Sequence, residues 1–242
     1  MALKVFVDFD GTITKNDVGN AFFLHFGREA CRRLVDDYRA GTISAQECFR
    51  QELAAIGSVS RAELDGFLSG QAIDPTFRDF ITFCREREIE FHVVSDGLDY
   101  YIHRILESNG ITGVPVFSNV LRILPEEADG RSPLSIAFPY QDAECRVCAC
   151  CKRNIMLSRS GDEDVIAYVG EGFSDQCPVQ YADIVFAKDA LQTFCQERNI
   201  SYHLYATFAD VVERLKELTA RKRLRVRHRA KLLRKEIFTS EP

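Results

Sequence analysis

The strongest constraint on the fold is a short apolar run at residues 3–9, which leads into acidic residues and a glycine. The run reads LKVFVDF and is followed by DGT. Its β-branched and aromatic residues predict a buried strand, and the acids with Gly11 predict a functional loop at its carboxyl end. The next run of this kind, residues 91–95, comes only after a long segment with a helical pattern. The sequence therefore predicts one strand, then a block of helices, then a return to the sheet.

Capping signals locate the helices of this block. Ser44 with Glu47 and Ser60 with Glu63 match capping boxes, and Asp74 precedes a proline. Helices are predicted at residues 17–26, 29–38, 44–56, 60–68 and 74–87. We therefore expect a helical cap at residues 15–84, inserted into a discontinuous core formed by residues 1–14 and 85–242.

Strands and helices alternate after residue 95. Further helices are predicted at residues 98–108, 152–160, near 176 and at 190–198, and further strands at 165–169, 184–186 and 202–205. Prolines at positions 115, 125, 133 and 139 mark an irregular stretch that we expect to hold a β-hairpin. This alternation predicts an α/β fold with a doubly wound parallel sheet covered on both faces. Ligands of such sheets bind beyond the carboxyl ends of the strands.

Polar motifs follow three of the predicted strands, and a lysine opens a helix between the last two. In order they are DFDGT (residues 8–12), SDG (95–97), Lys152 and GEGFSD (170–175). A pair of aspartates facing Glu171 and Asp175 would repel them unless a hard cation lay between the carboxylates. Mg2+ is the expected cation, with Mn2+ as the alternative, because it takes oxygen ligands and keeps waters for a substrate phosphate. Lys152 and the serine hydroxyl would complete a cradle for a phosphoryl group.

This ordered set of motifs resembles the four motifs of the haloacid dehalogenase-like phosphohydrolases. The resemblance spans the whole core and implies a Rossmann-like core and a phosphatase that acts on a small phosphorylated metabolite. It makes Asp8 the nucleophile that forms an aspartyl-phosphate, and Asp10 the general acid and base. It assigns Ser95 to a phosphoryl oxygen and Lys152 to neutralisation of the phosphate and the nucleophile.

The resemblance also implies the remaining contacts of the site. Phosphate binding would be completed by Gly11, Thr12, Asp96 and Gly97. The metal would be held by Asp8, Asp10, Glu171 and Asp175. The family usually has aspartate at position 171, so Glu171 is the one departure from its pattern.

The inserted helices resemble the small cap of the phosphoserine phosphatase-like branch, which closes over the substrate and supplies specificity. The stretches DFDGTITKND, SDGLDYYI and CACCK resemble the methionine-salvage phosphatases, while phosphoserine and phosphocholine/phosphoethanolamine phosphatases stay open. A phosphotransferase or mutase would use the same aspartyl-phosphate, since only the access of water separates transfer from hydrolysis. The candidates for the leaving-group pocket are Asp17, Phe22, Phe23, Tyr100 and Tyr101.

The segment of residues 221–235 is strongly basic in a chain whose formal net charge is −5. It holds nine of the 31 Lys and Arg residues and no acid. As a helix it would spread these charges around most of its circumference, which is a poor face for a membrane. A helix or tail attracted to the acidic remainder of the chain is favoured over a nucleic-acid binder.

The cysteines and the missing targeting signals favour a cytoplasmic protein. The nine cysteines are odd in number, and neither a signal-peptide cleavage site nor an apolar segment of membrane-spanning length is present in the sequence. Zinc is disfavoured, because structural zinc sites draw on two separated cysteine pairs. The four crowded cysteines are Cys145, Cys148, Cys150 and Cys151. We expect them to pack the loop before Lys152, in a chain that is a monomer or a homodimer.

Overall fold

The computed structural model describes residues 2–143, 145–221 and 223–239. The predicted basic segment includes Lys222, which lies outside the described residues. Both ends of the predicted core, Met1 and residues 240–242, and Glu144 within it also lie outside them.

Eight strands and nine helices are formed by the described residues. The strands are β1 (Leu3–Val7), β2 (Ser58–Val59), β3 (Glu90–Leu98), β4 (Val116–Ile123), β5 (Ser132–Ala137), β6 (Val165–Gly170), β7 (Ile184–Ala187) and β8 (His203–Leu204). The helices are α1 (Val18–Arg39), α2 (Ala45–Ile56), α3 (Arg61–Ser69), α4 (Phe77–Glu86), α5 (Asp99–Ser108), α6 (Lys152–Ser158), α7 (Asp189–Glu197), α8 (Phe208–Thr219) and α9 (His228–Thr239). Short 3-10 helices cover Phe173–Asp175 and Pro178–Gln180. Among these described helices, none has the length and apolarity needed to cross a membrane.

The chain divides into two compact units. The first contains Met1–Ile13, Asp74–Val94 and Lys152–Pro242, and the second contains Thr14–Ile73 and Ser95–Cys151. This division differs from the predicted one in two places. Helix α4 belongs to the first unit, where it packs against α8, and residues 95–151 belong to the second, including α5 and the β4–β5 hairpin, whose β5 contacts α2. Periodicity identifies a helix such as α4 but not the surface on which it packs.

The first unit is built on parallel strands in the order β3-β1-β6-β7-β8. β1 lies between β3 and β6, with Val7 opposite both Val93 and Val169. All six residues of β6 are buried, which explains its continuous apolar sequence. Because the strands are parallel, the loops after β1 and β6 leave the same edge of the sheet.

The second unit combines α1, α2, α3 and α5 with the antiparallel strands β2, β5 and β4. The β4–β5 hairpin lies in the proline-rich stretch where a hairpin was predicted. α1 is interrupted at Arg28, whose φ of 52° and ψ of −131° are not helical. The two predicted helices at residues 17–26 and 29–38 are therefore the two halves of α1. Phe22, at the centre of the first half, packs against Phe26 and Phe67.

The capping predictions were partly correct. Ser60 and Glu63 form the predicted capping box of α3. α4 begins at Phe77, so its predicted start at Asp74 was wrong. The Asp74 carboxylate instead accepts hydrogen bonds from the backbone N–H groups of Thr76 and Phe208, both at 2.8 Å. Helix α8, which starts at Phe208, was not predicted.

The described part of the basic segment belongs to the first unit and contacts other residues of that unit. Arg227 donates to the carbonyl oxygens of Val179 and Gln180 at 2.7 and 2.6 Å. Arg234 contacts the Asp183 carboxylate at 3.1 Å, and Ala230 is fully buried. These contacts agree with a basic segment that docks on an acidic body.

Candidate active site

A buried lysine lies at the centre of the candidate site in the first unit. Lys152, the first residue of α6, is 1% exposed. Its Nζ donates to Asp8 Oδ1 at 2.6 Å, to Ser174 Oγ at 2.8 Å and to Asp175 Oδ1 at 2.7 Å. Three acceptors match the three N–H donors of an ammonium group. Burying either charge without the other would cost several kcal/mol, so the lysine and the two carboxylates hold each other in place.

Asp8 follows β1 directly and is almost fully buried. Its backbone N–H donates to Val169 O at 2.9 Å, which continues the pairing with β6. Its Oδ2 accepts a hydrogen bond from Thr12 Oγ1 at 3.3 Å. Burial raises the pKa of the Asp8 carboxyl well above its usual value, the Asp175 carboxylate adds to the rise, and the Lys152 ammonium opposes it. Asp8 is thus a buried acid whose ionised form depends on neighbouring positive charge.

The Asp175 carboxylate is fully buried and accepts four hydrogen bonds. Oδ1 accepts from Lys152 and, at 2.6 Å, from the Tyr168 hydroxyl, while Oδ2 accepts from the backbone N–H groups of Glu171 and Gly172 at 3.0 Å. A carboxylate offers about four lone-pair positions, so protein donors match all of them. Burial, followed by the Asp175 charge, raises the pKa of Tyr168 well above its usual value. Tyr168 therefore stays a hydroxyl donor, and Asp175 orients Lys152.

Two glycines make room for these carboxylates. A Cβ at Gly170 would lie 2.5 Å from Asp175 Oδ2 and 2.9 Å from a ring carbon of Tyr168. Gly11 has a φ of +70°, which disfavours other residues, and a Cβ there would lie 3.0 Å from the carboxyl carbon of Glu171. The Glu171 carboxyl group therefore lies against the loop that follows β1.

The loops after β1 and β6 carry more acid than Lys152 neutralises. Their four carboxylates are those of Asp8, Asp10, Glu171 and Asp175. No group of three or more His, Cys, Asp or Glu side chains in the described part of the chain is arranged to hold a metal ion. Mg2+ does not require such a group, because one or two carboxylates commonly hold it together with water and a substrate phosphate. Oxygen donors, excess negative charge and the space left by the missing Gly11 Cβ fit a small divalent cation.

The SDG motif lies in the second unit and inside β3. The predicted strand end at Ser95 was therefore wrong, since β3 continues to Leu98. Ser95 is fully buried, and its Oγ accepts a hydrogen bond from the Gly97 N–H at 2.8 Å. The Asp96 carboxylate accepts from the Cys150 N–H at 2.6 Å. The side chain of Asp96 thus binds the loop that precedes Lys152.

The structure brings the predicted residues together in two sets. The first unit contains Asp8, Asp10, Gly11, Thr12, Lys152, Glu171 and Asp175, and the second contains Ser95, Asp96 and Gly97. Sequence reasoning missed Tyr168, Ser174 and Asn119, whose Nδ2 donates to the Asp96 carbonyl oxygen at 2.6 Å. Ser174 lies inside the GEGFSD motif and could have been found there, whereas Tyr168 and Asn119 occupy strands and carry no motif signal.

The candidate specificity residues have protein partners in the second unit. Phe22, Phe23 and Tyr101 are buried, with ring centroids 5.4 Å apart for the two phenylalanines and 6.3 Å for Phe22 and Tyr101. Tyr100 accepts a hydrogen bond from Arg61 at 3.0 Å. Asp17 caps α1 by accepting from a backbone N–H. Their role toward a leaving group stays a prediction.

The cysteine loop is anchored through its backbone. Three successive carbonyl oxygens, at residues 146–148, accept from the Ala45 N–H, the Tyr38 hydroxyl and Gln46 Nε2. The Sγ atoms of Cys145 and Cys148 lie 3.4 Å apart. A hydrogen bond with Cys151 and burial raise the pKa of the Cys148 thiol, so this thiol stays protonated at neutral pH. The contacts agree with the expected packing of the loop that leads to Lys152.

Comparisons with known proteins show the family and the fold. Residues 3–219 match the model of the family described as "Putative Phosphatase". The 2-hydroxy-3-keto-5-methylthiopentenyl-1-phosphate phosphatase of Geobacillus kaustophilus is 31% identical over 219 residues, which cover 89% of this chain and 96% of that protein.

Two solved structures share the fold. A phosphoserine phosphatase with a phospho-aspartyl intermediate analogue has a TM-score of 0.65 at 16% identity, covering 89% of this chain and 98% of that one. A had family hydrolase from Salmonella enterica subsp. enterica serovar Typhi has a TM-score of 0.62 at 15% identity, covering 85% and 68%. The predicted fold class and the predicted phosphatase family are confirmed. The chain belongs to the family described as "Putative Phosphatase", a family of phosphatases with the haloacid dehalogenase-like fold.

Proposed function

We propose that this chain hydrolyses the phosphate monoester of a small metabolite through an aspartyl-phosphate formed on Asp8. The observation that carries the proposal is the buried Lys152 ammonium, which lies 2.6 Å from Asp8 and 2.7 Å from Asp175. An ammonium group in this position favours the ionised form of Asp8 before attack and offsets the phosphoryl charge during it. Phosphoryl transfer depends mainly on such positioning and neutralisation.

Two steps complete the reaction. An Asp8 carboxylate oxygen forms a bond to phosphorus while the bond from phosphorus to the ester oxygen breaks, and Asp10 protonates the departing alkoxide. Asp10 then removes a proton from water, which attacks phosphorus, breaks the bond to Asp8 and releases inorganic phosphate. Ser95 and the backbone N–H groups near Gly97 would bind phosphoryl oxygens, together with Gly11 and Thr12.

Asp8, Asp10 and Glu171 would hold Mg2+, or Mn2+ as the alternative, which would neutralise phosphoryl oxygens when bound. Asp175 would reach the ion through water, since its four lone-pair positions already accept protein donors. The additional methylene of Glu171 is accommodated because its carboxyl group lies against a glycine rather than a larger residue.

The favoured substrate is 2-hydroxy-3-keto-5-methylthiopentenyl-1-phosphate, which is the substrate given in the name of the Geobacillus relative. The second unit would supply this specificity.

The proposed location is a reducing cytoplasm. Free thiols at all nine cysteines, each within the described residues, support this location.

Release of inorganic phosphate tests the proposed reaction. With Mg2+, the wild type should hydrolyse p-nitrophenyl phosphate, EDTA should stop it, and Asp8→Asn should be inactive. The methionine-salvage ester should give the highest kcat/KM in a panel that also contains phosphoserine and phosphocholine. Turnover by Asp8→Asn at the wild-type rate would refute the mechanism, and a higher kcat/KM for phosphoserine or phosphocholine would refute the substrate.

A further inference from the structure

Two short hydrogen bonds in the second unit hold the end of β3: one joins it to the loop that precedes Lys152, and the other joins it to β4. The Asp96 carboxylate accepts from the Cys150 N–H, and the Asp96 carbonyl accepts from Asn119 Nδ2, both at 2.6 Å. Asn119 and Cys150 are fully buried. A hydrogen bond to a carboxylate is about twice as strong as one between neutral groups. These contacts therefore fix the Cys150 backbone firmly relative to β3.

The bonds lie next to two residues that the proposed reaction uses. Ser95 directly precedes Asp96, and Lys152 follows Cys150 by two positions. A shift of the Cys150 backbone would reach Lys152 through two peptide bonds, which are planar and stiff. The Lys152 ammonium makes three hydrogen bonds between 2.6 and 2.8 Å, so it tolerates little displacement.

We propose that Asp96 and Asn119 are positioning residues that fix the position of the loop before Lys152 relative to Ser95. This inference rests on the proposed function. It gives the Asp96 carboxylate a role other than phosphate binding, because this carboxylate has the same sign of charge as phosphate and accepts the Cys150 N–H. Asn119 supports the arrangement by donating to the Asp96 carbonyl from β4.

The cysteines of this loop provide a readout that does not depend on catalysis. Cys150 and Cys151 are at most 2% exposed, so an alkylating reagent reaches them only when the loop opens. Cys31, Cys84 and Cys195 are fully buried elsewhere and report global unfolding. Iodoacetamide labelling of each cysteine, followed by mass spectrometry, therefore separates local release of the loop from loss of the fold.

In Asp96→Ala, iodoacetamide should label Cys150 and Cys151 at least about 10-fold faster than in the wild type, while Cys31, Cys84 and Cys195 stay protected. Asp96→Asn should restore most of the protection, because its amide oxygen still accepts a hydrogen bond. Asn119→Ala should give an intermediate rate. Asp65→Ala, at an exposed position of the same unit, is the matched control and should label like the wild type.

Activity on p-nitrophenyl phosphate gives the second readout. Asp96→Ala should lower kcat by roughly 10- to 100-fold, the effect of a misplacement near 1 Å, with a smaller change in KM. Asp96→Asn should recover at least half of that loss on a logarithmic scale. If the wild type itself releases no phosphate, the proposed function fails, and the labelling still tests the loop contact.

Equal labelling of Cys150 and Cys151 in the wild type and Asp96→Ala would overturn the inference, as would equal labelling and kcat for Asp96→Ala and Asp96→Asn. If Asp96→Ala does not fold, hydrogen exchange of the Cys150 amide in the wild type decides the question. Strong protection supports the contact, and exchange at the rate of an exposed amide overturns it.

Discussion

Replacing Gly170 with alanine puts a methyl group where the Asp175 carboxylate lies. The new Cβ would be 2.5 Å from Asp175 Oδ2. The Cβ and this oxygen must move apart by roughly 1 Å to reach an ordinary contact distance of about 3.5 Å. The carboxylate cannot move cheaply, because it is fully buried and its four donors lie between 2.6 and 3.0 Å.

The expected cost follows from these contacts. Loss of one or two charge-assisted hydrogen bonds, together with overpacking, gives a decrease of roughly 2–4 kcal/mol in the free energy of unfolding. For a chain of this size, that corresponds to a decrease of about 4–16 °C in Tm. Thermal unfolding followed by circular dichroism measures this change. Activity should fall as well, because Asp175 orients Lys152.

Gly172→Ala is the matched control two residues away. No described atom beyond its chain neighbours lies within 4 Å of a Cβ at that position, and its φ of −119° suits alanine. Its backbone N–H to Asp175 is retained, so Tm should stay within about 2 °C of the wild type. Equal Tm values for Gly170→Ala and Gly172→Ala would refute the claim that Asp175 is held rigidly against Gly170.

Three further changes test other parts of the structure. Lys152→Met leaves two buried carboxylates without their cation, so urea unfolding should show a loss of roughly 3–5 kcal/mol, and wild-type stability would contradict the buried ion pairs. Gly11→Ala forces a positive φ and presses on the Glu171 carboxyl, so the Mg2+ concentration for half-maximal activity should rise by about 10-fold or more, and an unchanged value would contradict the proposed role of Glu171. Burial raises the pKa of Glu52 to about 8, so the folded state binds the extra proton and wild-type stability should fall as pH rises from about 5 to 8. Glu52→Gln should reduce the loss of unfolding free energy between about pH 5 and pH 8 by more than about 1 kcal/mol, and parallel stability curves would show that Glu52 does not titrate in this way.

The residues of the candidate site were easier to predict from the sequence than the residues that hold them in place. Asp8, Lys152 and Glu171 stand in short polar motifs at strand and helix boundaries, and parallel topology forces the loops after β1 and β6 to one edge of the sheet. Asn119 and Tyr168 give no such signal, because each is a single residue inside a strand whose partner is distant in sequence. The Asp96 contact with Cys150 joins residues 54 positions apart, which spacing alone does not reveal.

Helix packing accounts for part of the difference between the predicted domains and the two compact units. The amphipathic pattern of α4 predicts a helix, but its contact with α8 depends on a helix that follows more than a hundred residues later in the chain and was not predicted. The signal for α8 was present, since Thr207 and Asp210 form a capping box before an apolar periodic run. Asp74 matches the local rules for a cap of α4, and those rules do not foresee its hydrogen bond from the Phe208 N–H.

The most direct test of the central claim is to trap the phosphorylated enzyme. Asp10→Asn cannot activate water, so acid quenching after mixing with Mg2+ and p-nitrophenyl phosphate should capture a phosphoryl group on the enzyme. Mass spectrometry should locate that group on Asp8, and the double variant with Asp8→Asn should carry none. A phosphoryl group on another residue, or wild-type phosphate release by Asp8→Asn alone, would contradict catalysis through Asp8.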